Sequence, residues 1–369
     1  MTGRERMTNV IGQRAVDRVP WTTLVDDRTR SIMPENIKDM AVMDFYRHIG
    51  CDILQFGNFG FENSAEALKY PYEFISPNCL ETIRYIDDDG NEVTTRKTKW
   101  GDLTGVTKKS HPIKYPVQSI EDVKVLLKLW EGAEFVFNES GCPEGYERMD
   151  RLLGDDGIFV PTTEPSPVQS LLEYEMGVEN FYYTLIDHED EMEELISVMN
   201  RVKLQEYRII AEKMPHMACI PVENTSTSYI SPNLYRKYCL PLMRDYADLM
   251  HRSKKKAIIH MCGLLTHLLP ELKEVGIDGI HALTPKPVGD VDFDHVLDVL
   301  GDELIIIGCL DSSVFQHPNA TSEDIEKLLD RTVTPRLRRS NYVLWAVADG
   351  LPTPVEKFLV INEWFEKNA

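Results

Sequence analysis

No stretch of this 369-residue sequence approaches the roughly 20 consecutive apolar residues of a membrane-spanning helix. The polar, charged opening Met1–Arg14 lacks the apolar core of a secretion signal, so a cytoplasmic location is expected. Basic residues are in deficit: 40 Lys and Arg stand against 60 Asp and Glu, a formal charge of −20. That balance repels nucleic acid and anionic membrane, which both require basic patches. The seven cysteines are odd in number and scattered, which excludes a disulfide framework and favours reduced thiols. No GxGxxG or GxxxxGK[ST] segment follows a strand-like run, and no GxSxG occurs. Phosphate cradling by a glycine-rich loop and a serine nucleophile elbow are therefore unsupported. No fixed-period repeat is present.

What recurs is an alternation of short apolar runs with helical patterns. The runs lie at Val19–Val25, Asp52–Phe56, Ile158–Thr163, Ala218–Val222, Lys256–Cys262, Asp278–Leu283, Glu303–Cys309 and Tyr342–Ala348. They are mostly continuous, as expected of parallel strands buried on both faces. Helical spacing marks His188–Met214, Ser231–Ser253, Leu264–Gly276 and Ser322–Arg338, with capping residues at several ends. Eight runs alternating with helices predict an α/β fold of the (β/α)8 TIM-barrel kind, one domain over residues 1–369. The stretch from about 60 to 155 breaks the pattern. Its segment Ile83–Gly101, around Asp89-Gly90, reads as a β-hairpin, and the whole stretch as an insertion after the second strand that covers the barrel mouth. An open doubly wound sheet is the alternative, since periodicity does not close a sheet.

In such barrels chemistry gathers at the C-terminal strand ends. Polar groups follow the runs: Asp26-Asp27, Asn58, Glu164, Glu223, His260-Met261-Cys262, Thr284, Cys309, Asp311 and Asp349. Residues i and i+2 of a strand point the same way, so His260 and Cys262 can reach one ion. Zinc suits that nitrogen–sulfur pair. Cys309, at another strand end, offers a third ligand, and Glu164 an exchangeable carboxylate. Glu223 and Asp349 are candidate proton-transfer groups. Asp27, Asn58 and Tyr229 are candidate substrate contacts. Phe181, Tyr182 and Tyr183 read as helix packing.

Six segments carry a resemblance: RAVDRVP (14–20), DILQFGN (52–58), TTEPSPVQS (162–170), SPNLYRKYCLPLMR (231–244), IIHMCG (258–263) and LPTPVEKF (351–358). The chain resembles the uroporphyrinogen decarboxylase superfamily over nearly its whole length. Its His-X-Cys-Gly is similar to that of the cobalamin (corrinoid)-dependent methyltransferases in that superfamily. The decarboxylases' arginine-rich motif after the first strand is absent from VDDRTRSIMP (25–34), and Asn58 stands where they carry a substrate-binding aspartate. The resemblance implies zinc on His260 and Cys262, with Glu164 at the metal. A separate corrinoid-binding protein would dock on the barrel mouth. A small methylated ether, amine or thioether, or a thiol acceptor, would be the substrate. The distal cysteine of those methyltransferases falls here on Asp349. Cys309 is the preferred third ligand, because a thiolate binds zinc better than a carboxylate does. A metal-free lyase acting on a carboxylated substrate, with Arg28 and Arg30 as its cations, is the alternative function.

Overall fold

A computed structural model describes residues 1–58, 68–109, 111–140, 142–348 and 350–368. The strands are β1 (Trp21–Val25), β2 (Ile53–Phe56), β3 (Tyr72–Ile75), β4 (Glu81–Ile86), β5 (Glu92–Lys97), β6 (Asp102–Lys108), β7 (His111–Lys114) and β8 (Glu134–Phe137). They continue with β9 (Gly157–Val160), β10 (Thr162–Thr163), β11 (Ala218–Pro221), β12 (Lys256–His260), β13 (Gly279–Leu283), β14 (Ile305–Cys309) and β15 (Asn341–Ala348). Helices fall between the parallel strands, giving a TIM-barrel-like α/β architecture.

The two faces of each parallel strand are buried by different partners. Leu54, Ile158, Ile220, Ile258, Ile307 and Val343 belong to one inner cluster. Their sequence neighbours Ile53, Phe159, Cys219, Ile259, Ile306 and Leu344 belong to a larger outer cluster shared with the helices. This two-sided burial is why the runs are continuously apolar in sequence rather than alternating. Met7, Val10 and Ile11 of the N-terminal helix Gly3–Ile11 join the inner cluster. Arg6 and Arg18 fasten this end of the molecule to the buried Asp52 at 2.9 and 2.7 Å. On the helical layer, the buried hydroxyl of Tyr246 lies within hydrogen-bonding distance of the carbonyls of Cys219 and Ile258 and shares its one proton between them, pinning β11 and β12 to the helix Leu240–Arg252.

The expected ring of eight strands is not one continuous ladder. Seven strands form a parallel sheet in the order β1-β15-β14-β13-β12-β11-β10, and β2 pairs separately with β9. Two local causes are visible. Pro161 splits the third run into β9 and β10, since proline has no N–H for a ladder. Between β1 and β2 the contact is a backbone bond from Asp52 to Trp21 O (2.8 Å) and one from Leu54 N–H to the hydroxyl of Thr22 (3.2 Å). At the β2–β9 pair, Gly157 is required by space. A Cβ there would lie 2.1 Å from Ile53 O.

Proline also corrects the expected helix Ser231–Ser253. Pro241 removes an N–H, and the segment divides at Cys239 into Pro232–Tyr238 and Leu240–Arg252. The segment between β2 and β9 holds two antiparallel units among its described residues: the pair β3–β8 and the four-stranded sheet β4-β5-β6-β7. β4 and β5 are joined by a turn in which the Asp87 carboxylate accepts from the N–H groups of Asp89 and Asn91, with Gly90 at φ 77°. No helix of the described residues is long and apolar enough to cross a membrane.

Candidate functional site

The last inward-facing positions of β12 and its extension are His260 and Cys262. His260 sits directly across the parallel register from His281 of β13, and their Nδ1 atoms are 2.8 Å apart. β13 is irregular at this point. Its register shifts between His281 and Leu283, and Ala282 adopts φ 68°. A bulge of this kind re-aims side chains, and here His281 packs against Trp345 and Phe56, with ring centroids 4.2 and 4.6 Å away. Burial pushes the His260 imidazole down to about 4. Burial, and then the neighbouring His260, hold His281 well below its ordinary value. Both rings are therefore neutral at physiological pH. One donates through Nδ1 and the other accepts, leaving each Nε2 to other partners.

Cys262 is held by Asn224. The Asn224 carboxamide oxygen accepts from the Cys262 N–H at 2.9 Å and lies 3.2 Å from its sulfur. The next residue, Gly263, has φ 89°, and a Cβ there would meet the Ser226 hydroxyl at 2.8 Å, so only glycine fits this loop. Cys309 ends β14 in the same inner cluster that Cys262 packs against. Its thiol is pushed up to about 12 by burial, while a hydrogen bond from Thr284 opposes the rise and the neighbouring Cys262 adds to it. Burial also raises the Cys262 thiol, and Glu173 adds to that rise. These two sulfurs thus lie within electrostatic reach of each other. Cys51, Cys79, Cys219, Cys239, Cys262 and Cys309 are all free.

Glu173 belongs to a π-helical turn, Leu171–Glu175, that follows the short helix Pro167–Ser170. Gln169 ties it to the site. Its amide nitrogen donates to Glu173 at 3.0 Å, and its oxygen accepts from the Asn224 N–H at 2.8 Å. A chain Glu173–Gln169–Asn224–Cys262 thus runs into the His-X-Cys loop. Sequence reasoning missed Gln169, Glu173 and His281, and it noted Asn224 at the fourth strand end without giving it a role. Asn224 directly follows a named strand end, and Gln169 lies in the TTEPSPVQS segment, but their pairing is tertiary.

The other candidates are placed differently. Glu223 is fully buried on the outer face of the strand end, although its N–H donates to His260 O at 2.9 Å. Burial raises its carboxyl to about 7. The Thr225 hydroxyl donates to one of its oxygens. The Glu164 carboxylate is exposed, while its peptide is clamped: the N–H donates to Glu206 at 3.0 Å, and its carbonyl accepts from Lys203 at 2.6 Å. Asp27 is fully exposed and pairs with Arg30 at 3.1 Å. Arg30 is also committed to Met40 O. Both ends of the Asn58 amide are taken by the Leu68 backbone, at 2.7 and 2.6 Å. Tyr229 lines a shallow surface pocket with Tyr182, whose hydroxyl donates to its carbonyl. Phe181 is buried as expected, but Tyr183 is 62% exposed and not a packing residue. Asp349 lies outside the described residues. Among the described residues, no three His, Cys, Asp or Glu side chains lie close enough together to hold a metal ion. The expected ligands His260, Cys262 and Cys309 all border the inner cluster, but they are not gathered into one coordination sphere.

Comparison with known proteins agrees with this architecture. Residues 167–356 match the family described as uroporphyrinogen decarboxylase (URO-D). A methylated-thiol–coenzyme M methyltransferase from Methanosarcina mazei is 30% identical over 141 residues, which are 38% of this chain and 35% of that protein. The chain therefore spans about a third of that relative's length in the match. A solved structure of a methyltransferase from Methanosarcina mazei superposes with a TM-score of 0.59 at 13% identity, covering 100% of this chain and 99% of the other. That likeness speaks to the fold. With the family match covering more than half of its residues, the chain belongs to the uroporphyrinogen decarboxylase (URO-D) family.

Proposed function

We propose that this protein is a methyltransferase that moves a methyl group between a small methylated substrate, or a thiol acceptor, and a corrinoid carried by a partner protein. Zinc would be held by His260 and Cys262, completed by Cys309. The observation that carries the reading is the donor set: a neutral imidazole and two thiols border one inner cluster at the C-terminal strand ends, and zinc would have to draw them together. Burial raises both the Cys309 and the Cys262 thiols, keeping them protonated; a divalent cation would favour their thiolate forms. The partial similarity to a methylated-thiol methyltransferase gives the reaction class.

When bound, zinc supplies Lewis acidity, which lowers the pKa of a thiol or polarises the heteroatom that carries a methyl group. The chain's own residues do the positioning. His281 fixes the ring of His260, Asn224 fixes the Cys262 loop, and Gln169 connects that loop to Glu173. Glu164 stands further out with its peptide clamped, as an exchangeable carboxylate. In this reading residues 1–369 act as one unit, with the segment from about 60 to 155 over the barrel mouth.

The test is methyl transfer from methylcobalamin to a set of small thiols, followed by the absorbance change of the corrinoid, with the reverse reaction run from methylated donors. Wild-type protein turns over with at least one of them, and Cys262→Ala does not. Equal turnover in Cys262→Ala contradicts the reading.

A further inference from the structure

Between the sheet β4–β7 and the helix Glu189–Lys213 lies a cavity of about 670 Å³. Cavities of this size take a small molecule. None of its lining residues is His260, Cys262, His281 or Cys309. One part of the wall is aromatic: Phe74, Trp130, Phe135 and Tyr174. Phe74 packs on Trp130 and on Phe135 at centroid distances of 4.7 and 5.3 Å, forming a continuous apolar surface. The indole N–H of Trp130 is buried without a hydrogen-bond partner among the described residues.

The charge of the wall opposes that of the molecule. The chain carries −20, yet Arg84, Arg96 and Lys203 line this cavity, with Glu164 as the carboxylate among them. Two of the cations are balanced from behind. Arg96 forms a two-pronged pair with Glu175, and Lys203 pairs with Glu206 at 2.5 Å. Arg84 makes no ion pair among the described residues. Glu164, the exchangeable carboxylate proposed above, also borders this wall: its residue is exposed, and Lys203 binds only its backbone carbonyl, at 2.6 Å. An aromatic wall, an indole donor and an exposed Arg84, the last two without partners among the described residues, together select a flat apolar body that ends in an anion.

We infer that this cavity is a second ligand site, separate from the His260–Cys262 pair, for a small aromatic carboxylate anchored by Arg84. 2-Naphthoate is a suitable probe, titrated into the full-length protein by calorimetry and by quenching of tryptophan fluorescence. Saturable one-to-one binding is expected. A hydrogen-bonded charge contributes about 1.5–3 kcal/mol, so Arg84→Met should weaken binding about tenfold or more, whereas Arg84→Lys retains most of it. The neutral alcohol 2-(hydroxymethyl)naphthalene should bind about tenfold more weakly than the acid, and the corresponding trimethylammonium compound more weakly still. Cys262→Ala should bind the probe as the wild type does. The inference is overturned by absence of saturable binding, by equal affinity in Arg84→Met, by equal affinity for the neutral or cationic analogue, or by loss of binding in Cys262→Ala.

Discussion

His260 and His281 face each other across adjacent parallel strands with their Nδ1 atoms 2.8 Å apart. In the proposed zinc site that contact would give His281 a positioning role without requiring it to touch the metal. Partners of this kind fix a ligating ring's tautomer and orientation, and their loss typically costs about 10–100-fold in metal affinity. His281→Phe keeps a ring against Trp345 but removes the nitrogen. Its zinc affinity, read by competition with a chromophoric chelator, is expected to fall by about that factor, while folded-state circular dichroism is retained. Unchanged affinity would remove His281 from the site.

Asn224 makes a similar prediction by a different route. Its oxygen holds the Cys262 N–H at 2.9 Å, and its own N–H is held by Gln169. Asn224→Leu keeps the volume and deletes the acceptor, so the His-X-Cys loop loses its anchor. Zinc retention on dialysis should drop, with Asn224→Asp retaining more of it, because the carboxylate keeps an oxygen there.

Glu223 should give stability an unusual pH dependence. Its buried carboxyl is raised from an ordinary value near 4.5 to about 7, so the folded state holds the proton more tightly than the unfolded chain. Stability from this group is present below pH 4.5 and is lost as pH rises toward 7. The difference corresponds to about 3 kcal/mol. Glu223→Gln should abolish this loss, flattening the urea-midpoint profile between pH 5 and 7. An identical slope in wild type and variant would place the proton elsewhere.

The buried pair Lys203–Glu206 predicts a large mutational cost. Both side chains are almost completely buried, and together they hold both polar groups of the Glu164 peptide. Removing one partner leaves an uncompensated buried charge, worth about 3–5 kcal/mol. Glu206→Ala should lower the unfolding free energy by that amount, while the double variant Lys203→Met/Glu206→Leu recovers much of it.

The parallel strands were legible because burial on both faces leaves continuous apolar runs such as Ile305–Cys309, and their order followed from alternation with helices. Their breaks were less so. Pro161 and Pro241 are plain in the sequence, but which partner each flanking piece adopts is decided by the sheet and the helical layer. His260 was legible as a strand-end residue, whereas Cys262 falls just past the end of the strand. The residues that hold them were not legible: His281 reaches His260 through a bulge at Ala282, and Glu173 is brought in by a π-helical turn. Neither irregularity has a local signature. Conversely, Asn58 stands at a strand end, yet its amide is spent on the Leu68 backbone, a use that strand-end position does not reveal.

The central claim is that His260, Cys262 and Cys309 hold zinc. It is tested most directly by the zinc content of protein purified without added metal, for wild type, Cys262→Ala and Cys309→Ala. The account predicts one zinc per chain in the wild type and loss in both variants. Full retention in Cys309→Ala would remove that thiol from the set and direct attention to Asp349. A wild type without zinc, taking up none on titration, would contradict the account and favour the metal-free lyase reading.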